Sequence, residues 1–150
     1  MPDRWTPHAT VATVIEQDGK FLMIEEISSG QRVINQPAGH IEEGESVIEA
    51  ACRETLEEAG WSVTPTALVG LYVYIAPTNG VTYHRYCFAA SAQQHHPEAP
   101  LDDGIIGPRW MTIEELRQCP NLRSPMVLNC VEDYLSGRRF PLTLITEHLA

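Results

Sequence analysis

Glu54, Glu57 and Glu58 stand at i, i+3 and i+4, the spacing at which side chains share one surface of an α-helix. Like charges so placed repel. They fall in the C-terminal half of the predicted helix, where the backbone dipole already disfavours anions. Arg53 precedes Glu57 by four residues and can pair with it, but one guanidinium cannot neutralise three carboxylates. Just upstream, Pro37-Ala38-Gly39 forms a constrained loop whose backbone can approach a ligand closely. Carboxylates together with a loop carbonyl are hard oxygen donors. They suit Mg²⁺ or Mn²⁺, ions that keep several waters and bridge to phosphates. A solvated acidic helix face is the plain alternative for Glu54, Glu57 and Glu58 taken alone.

The helix that carries them is predicted to open at Ser46, three residues before Glu49 in the capping-box spacing, and to close at Gly60. Stepping 100° per residue places Ile48, Cys52, Thr55, Leu56 and Ala59 on a core-facing side, with the three glutamates opposite. His8–Glu16 and Lys20–Glu26, joined through Asp18-Gly19, read as a hairpin, and Arg32–Asn35 as a short strand. Strands are expected over Ala67–Ala76 and Val81–Gln93, a polar loop over His95–Gly104, and an edge or bulged strand over Ile105–Met111 containing Pro108. Thr112 opens a short helix ending before Pro120. Ser124-Pro125 opens another that runs to about Ser136 and stops at Gly137. The class is α+β, a mixed or antiparallel sheet with helices on its faces.

The chain has 150 residues, 43% hydrophobic and 20% charged, which fits one domain over residues 1–150 with a real core. Twenty acidic residues against ten basic ones argue against a partner held by bulk positive charge, whether nucleic acid or an anionic membrane. Nine of the ten cations are Arg, the better fork for phosphates. Cys52, Cys87, Cys119 and Cys130 show no metal-ligand spacing and read as reduced core thiols. Met1–Val11 lacks the apolar run of a secretory leader, and no apolar stretch approaches the roughly 20 residues of a membrane helix. A cytoplasmic protein is expected. No clear apolar stripe asks for a partner, so a monomer is the default.

Gly39, Glu45, Arg53-Glu54, Glu57-Glu58 and Gly60-Trp61 stand in the spacing GX5EX7REUXEEXGU, where U is bulky and apolar. That pattern resembles the Nudix box. Thr55 is the one departure, where an aliphatic is usual; its methyl can take that place on the core side. Further segments resemble the NudJ-type phosphatases of that family: His8, Thr10-Val11, Asn35-Gln36-Pro37-Ala38-Gly39-His40, Trp110, Asn121-Leu122-Arg123-Ser124-Pro125, Tyr134 and Ser136-Gly137.

The resemblance implies a Nudix fold, a mixed sheet sandwiched between helices. It implies a Mg²⁺-dependent hydrolase, with Mn²⁺ as a substitute, releasing inorganic phosphate from nucleoside tri- and diphosphates or from hydroxymethylpyrimidine pyrophosphate. Glu57 and Glu58 would be metal ligands, with the carbonyl of Gly39 or Ala38. Glu54 would be a further ligand or the group that activates the attacking water. Arg53 would orient Glu57, and Glu45 would order the loop and helix start. Asp102 and Asp103, before the strand ending at Trp110, are candidates for an additional ligand or base, against a plain turn preference for Asp. Arg85 sits inside a strand-like run, where a cation needs an anion. It would meet substrate phosphate or pair with the box glutamates. Arg123 would meet phosphate or anchor the last helix. Trp110 and Tyr74 read as core aromatics, with base stacking by either of them or by Tyr72 as the alternative. A pyrophosphate-releasing enzyme of the nucleotide-sanitising kind and an inactive nucleotide-binding module remain the competing functions.

Overall fold

The computed structural model describes residues 3–149. Met1 and Pro2, the start of the stretch read above as lacking a leader, lie outside the described residues, as does Ala150. Eight strands occupy His8–Val14 (β1), Glu16–Gln17 (β2), Lys20–Ser28 (β3), Gln31–Asn35 (β4), Ala38–His40 (β5), Trp61–Ile75 (β6), Thr82–His95 (β7) and Ile105–Met111 (β8). Three α-helices occupy Val47–Ala59 (α1), Ile113–Gln118 (α2) and Pro125–Leu135 (α3).

The strands form two sheets. One has the order β5-β1-β7-β6 and is mixed, because β1 and β7 run parallel while β1–β5 and β6–β7 are antiparallel. In the other, antiparallel sheet β3 is central, with β8 along one edge and β2 and β4 on the opposite one. Side chains alternate across the mixed sheet. Val11, Leu68 and Phe88 meet Val47, Ala50 and Ala51 of α1. Ala12, Val69, Cys87 and Ala89 meet Val127, Cys130 and Val131 of α3. The mixed sheet is therefore sandwiched between helices, as the α+β reading requires.

The predicted first hairpin is corrected. Only β2 folds back on β3, through Glu16↔Phe21 and Gln17↔Lys20, while β1 joins the other sheet. Thr10–Ile15 is buried without interruption. A strand covered on both faces belongs between two layers, not in a half-solvated hairpin. The sixth strand also begins at Trp61 rather than Ala67, directly after the helix. Pro65 is accommodated at a register shift, which is how a strand tolerates a missing N–H.

Local caps follow from sequence. Ser46 Oγ accepts the N–H of Glu49, and Gly60 at φ 70° closes α1 in the left-handed conformation that glycine adopts freely. Thr112 and Glu115 form a reciprocal capping box. Ser124 occupies the cap position of α3, but its hydroxyl makes no capping bond.

Thr55, the departure from the box, is fully buried and lies 3.0 Å from the hydroxyl of Thr13 on β1, itself fully buried. Thr55 also donates to Ala51 O at 2.7 Å. This bond ties α1 to the sheet at the level of the glutamates. Thr55→Val should cost about 1–3 kcal/mol because it orphans the Thr13 hydroxyl. The double variant Thr13→Val/Thr55→Val should return to within about 1 kcal/mol of the parent. Urea unfolding of the four chains checks this.

Candidate active site

The buried arc of α1 differs from the one read from hydrophobicity. Val47, Ala50, Ala51, Glu54, Thr55 and Ala59 are buried, whereas Leu56 is 38% exposed. The small Ala50 and Ala51 pack against the sheet, and Glu54 lies on the same buried arc. Glu54 is only 8% exposed. The acidic residues thus do not form a solvated outer face. Burial raises the pKa of the Glu54 carboxyl, partly countered by Arg53. Burial pushes Glu58 up to about 8, although the N–H of Ala38 donates to its Oε1 at 2.8 Å and works the other way. Glu57 is also raised, by partial burial and then by the charge of Asp102.

Arg53 holds the cluster together. Its Nη1 donates to Glu54 Oε1 at 2.9 Å and to Glu57 Oε2 at 3.1 Å. Its Nε and Nη2 grip both oxygens of Glu45 at 2.6 and 3.0 Å, and Nη2 also donates to the carbonyl of His40 at 3.0 Å. Glu45 in turn accepts the N–H of Glu42 at 3.0 Å, fixing the loop ahead of the helix. The guanidinium pulls the Glu45 carboxyl below its ordinary range, and its own proton is held more tightly. Such a bidentate hub pins side chains that repel each other.

Gly39 lies against this cluster. A Cβ at position 39 would fall within the van der Waals radii of the Glu54 carboxyl, so only glycine lets the β5 backbone approach so closely. Asp102 arrives from the loop after β7. His96 N–H donates to Gly60 O at 2.7 Å and Asp102 N–H to Glu57 O at 2.9 Å, which seats that loop on the end of α1. One carboxylate oxygen each from Glu54, Glu57 and Asp102 lie within 4.8 Å of one another. Three hard oxygens converging beside a bare backbone fit a divalent cation. Glu58 faces the same groove from the next turn, outside that three-residue group. Asp103 is exposed and also stands outside the group.

A groove of 880 Å³ runs from Gly39, Glu54 and Glu58 to the start of α3. Arg85 and Arg123 both line it. Arg85 is 5% exposed and bonds to Gln36 and Asn35; among the described residues it makes no ion pair with the box glutamates. Arg123 pairs with Glu26. Tyr74 lines the groove, whereas Tyr72 donates to Asp133 on α3 at 2.7 Å and Trp110 packs edge-on against Trp61. Sequence reasoning missed Glu26. It is 8% exposed on the face of β3 shared with the fully buried Leu22 and Ile24, so a carboxylate on an apolar alternation was the available signal. The sequence reading includes Asn35 only as part of the segment resembling the NudJ-type phosphatases, with no role of its own.

The raised carboxyls bear on stability. Each binds its proton more readily folded than unfolded, so the stability this gives is complete at low pH and is lost as pH rises through the raised pKa of each, about 8 for Glu58. The cation-free protein should melt at progressively lower temperature from about pH 5 to pH 8. A divalent cation at a hundred times its Kd should restore about 5–10 °C at pH 8. At pH 5, where protons compete, it should restore much less. Thermal scans with and without cation check both directions.

Comparison with known proteins gives the family. The NUDIX domain profile matches residues 5–128. Phosphatase NudJ of Escherichia coli (strain K12) is 43% identical over 139 residues, covering 93% of this chain and 90% of that protein. A NUDIX hydrolase from Nitrosomonas europaea superposes with a TM-score of 0.93 at 44% identity, covering 95% of this chain and 98% of that one. A MutT NUDIX hydrolase from Burkholderia pseudomallei shares the fold at a TM-score of 0.73 and 22% identity, covering 86% and 98%. The profile covers most of the chain and the NudJ relative matches nearly all of it, so the chain belongs to the Nudix hydrolase family.

Proposed function

We propose that this chain is a Mg²⁺-dependent phosphohydrolase, with Mn²⁺ able to replace Mg²⁺. It would cleave phosphoanhydride bonds in nucleoside tri- and diphosphates, and in hydroxymethylpyrimidine pyrophosphate, releasing inorganic phosphate. The observation that carries the reading is the convergence of Glu54, Glu57 and Asp102, with Glu54 lying against Gly39 and lining one end of the groove. The name of the Escherichia coli relative, a phosphatase, supports the phosphate-releasing chemistry over pyrophosphate release. Residues 1–150 act as one such domain, as a cytoplasmic monomer on small molecules and not on nucleic acid. Among the described residues, no helix is long and apolar enough to cross a membrane.

In this reading Glu57, Glu58 and Glu54 hold the cation together with the carbonyl of Gly39 or Ala38. Asp102 adds a donor, and Asp103 is the second candidate on the same loop. When bound, the cation screens the carboxylates and stabilises charge on the leaving phosphate. The chain carries a net charge of −10, so substrate approach depends on that screening. An opposite-charge contact at roughly 4 Å is worth about 4 kcal/mol at intermediate dielectric, more than diffuse surface repulsion costs. Glu54 is also placed to take a proton from the attacking water, because Gly39 leaves its carboxyl open toward the groove. Arg53 positions Glu54 and Glu57, Glu45 positions Arg53, and Arg123, paired with Glu26, anchors the start of α3.

A substrate panel with Mg²⁺, reading phosphate and pyrophosphate separately, tests the activity. Free phosphate with accumulating diphosphate is expected; pyrophosphate with monophosphate would establish the sanitising alternative. Glu57→Gln and Glu54→Gln should each lower kcat by about 10²–10⁴-fold, with the thermal midpoint unchanged or raised. Survival of turnover in both would remove the assignment. Gly39→Ala should displace the Glu54 carboxyl and cost about 10²-fold in kcat while the chain still folds, as checked by kinetics beside circular dichroism.

A further inference from the structure

Among the described residues, two buried side-chain atoms lack a hydrogen-bond partner: Arg85 Nε and Ser124 Oγ. Both residues line the groove. Folded proteins satisfy nearly all such atoms, so two orphans on the walls of one groove mark a surface shaped for something besides stability.

Arg85 reaches its site from β7 and is 95% buried, yet it spends its donors on neutral partners. Nη1 donates to Gln36 Oε1 at 2.9 Å and lies 4.0 Å from Cys130 Sγ, and Nη2 donates to Asn35 Oδ1 at 3.3 Å. Holding a buried cation this way is costly, but it has a steric consequence. A guanidinium has only donors, so it fixes which end of each amide it meets. The Gln36 amide nitrogen then donates to Val127 O. The amide nitrogen of Asn35 is turned away from Arg85 and has no partner among the described residues. Asn35 is itself 5% exposed, and it lines the groove. Asn35 Nδ2 is therefore an oriented, neutral N–H donor on a residue that lines the groove.

The surroundings decide what that donor meets. Arg123 is paired with the buried Glu26 and Arg85 Nε is sealed from water, so the positive charge at this end is largely countered already. Tyr74, Tyr83, Pro125 and Met126 supply flat and apolar walls. A neutral donor between such walls suits a flat heteroaromatic ring better than a second phosphoryl group. We propose that Asn35 is a specificity-determining residue whose Nδ2 donates to an acceptor, a ring nitrogen or an exocyclic carbonyl, on the substrate's aromatic ring. Arg85 is the positioning residue that keeps this donor facing the groove. The assignment rests on the hydrolase reading only in giving the phosphates the carboxylate end.

Two measurements test it. In chelator, cytidine, uridine, adenosine, guanosine and hydroxymethylpyrimidine are titrated by saturation-transfer NMR. At least one should bind the parent chain, and Asn35→Ala should weaken it about tenfold. Arg85→Lys, which cannot bridge both amides, should do the same, and Asn35→Ala keeps the test open should that variant fold poorly. With Mg²⁺, the ratio of kcat/KM on nucleoside triphosphates to that on inorganic tripolyphosphate should fall about tenfold in either variant, through KM rather than kcat. Equal losses on both substrates, no loss in either, or no ring binding by the parent chain would overturn the assignment. Ring binding lost in Asn35→Ala from a chain that hydrolyses no anhydride would overturn the hydrolase reading and still support this one.

Discussion

Carboxylates that would repel each other in water are turned inward on α1 and pinned there by a single guanidinium. Arg53 contacts Glu45, Glu54, Glu57 and the carbonyl of His40, so one side chain joins the loop, the helix and β5. The arrangement is stable only in part by itself. Burial holds Glu58 and Glu54 above their ordinary pKa, a strain that a bound cation relieves and that a proton relieves at lower pH. A site built this way is poised to bind a cation, because the free state carries the cost.

The rest of the fold serves that geometry. Ala50 and Ala51 pack α1 against the mixed sheet, the Thr13–Thr55 bond holds it there, and Gly39 gives the β5 backbone room beside Glu54. The loop carrying Asp102 is seated by backbone bonds to Gly60 and Glu57 at the helix end. The second sheet contributes Glu26 and Asn35 to the groove, and α3 supplies its far wall. In the proposed reading, phosphate chemistry and ring recognition fall at opposite ends of one groove, on elements from both sheets.

Much of this was legible in the residues. The spacing from Gly39 to Trp61 points to the family, and Ser46, Gly60 and Thr112 mark helix ends where the caps form. The α+β class and the sandwiched mixed sheet follow from the same reading. What failed did so for tertiary reasons. A wheel weighted by hydrophobicity favoured Leu56 over the alanines, whereas close packing rewards small side chains. Asp18-Gly19 does mark a turn, yet β1 found a parallel partner some seventy residues on, a pairing that no local pattern encodes. Pro65 hid the first third of β6. The amide orientation of Asn35 depends on Arg85, fifty residues away, and appears only when both are placed.

Anomalous scattering from crystals soaked in Mn²⁺ with a non-hydrolysable nucleotide addresses the central claim most directly. The account predicts manganese peaks among Glu54, Glu57 and Asp102, in contact with phosphate oxygens and within reach of Glu58. Manganese bound only elsewhere, with the nucleotide seated in the groove and Glu54 and Glu57 still clasped by Arg53 alone, would contradict it.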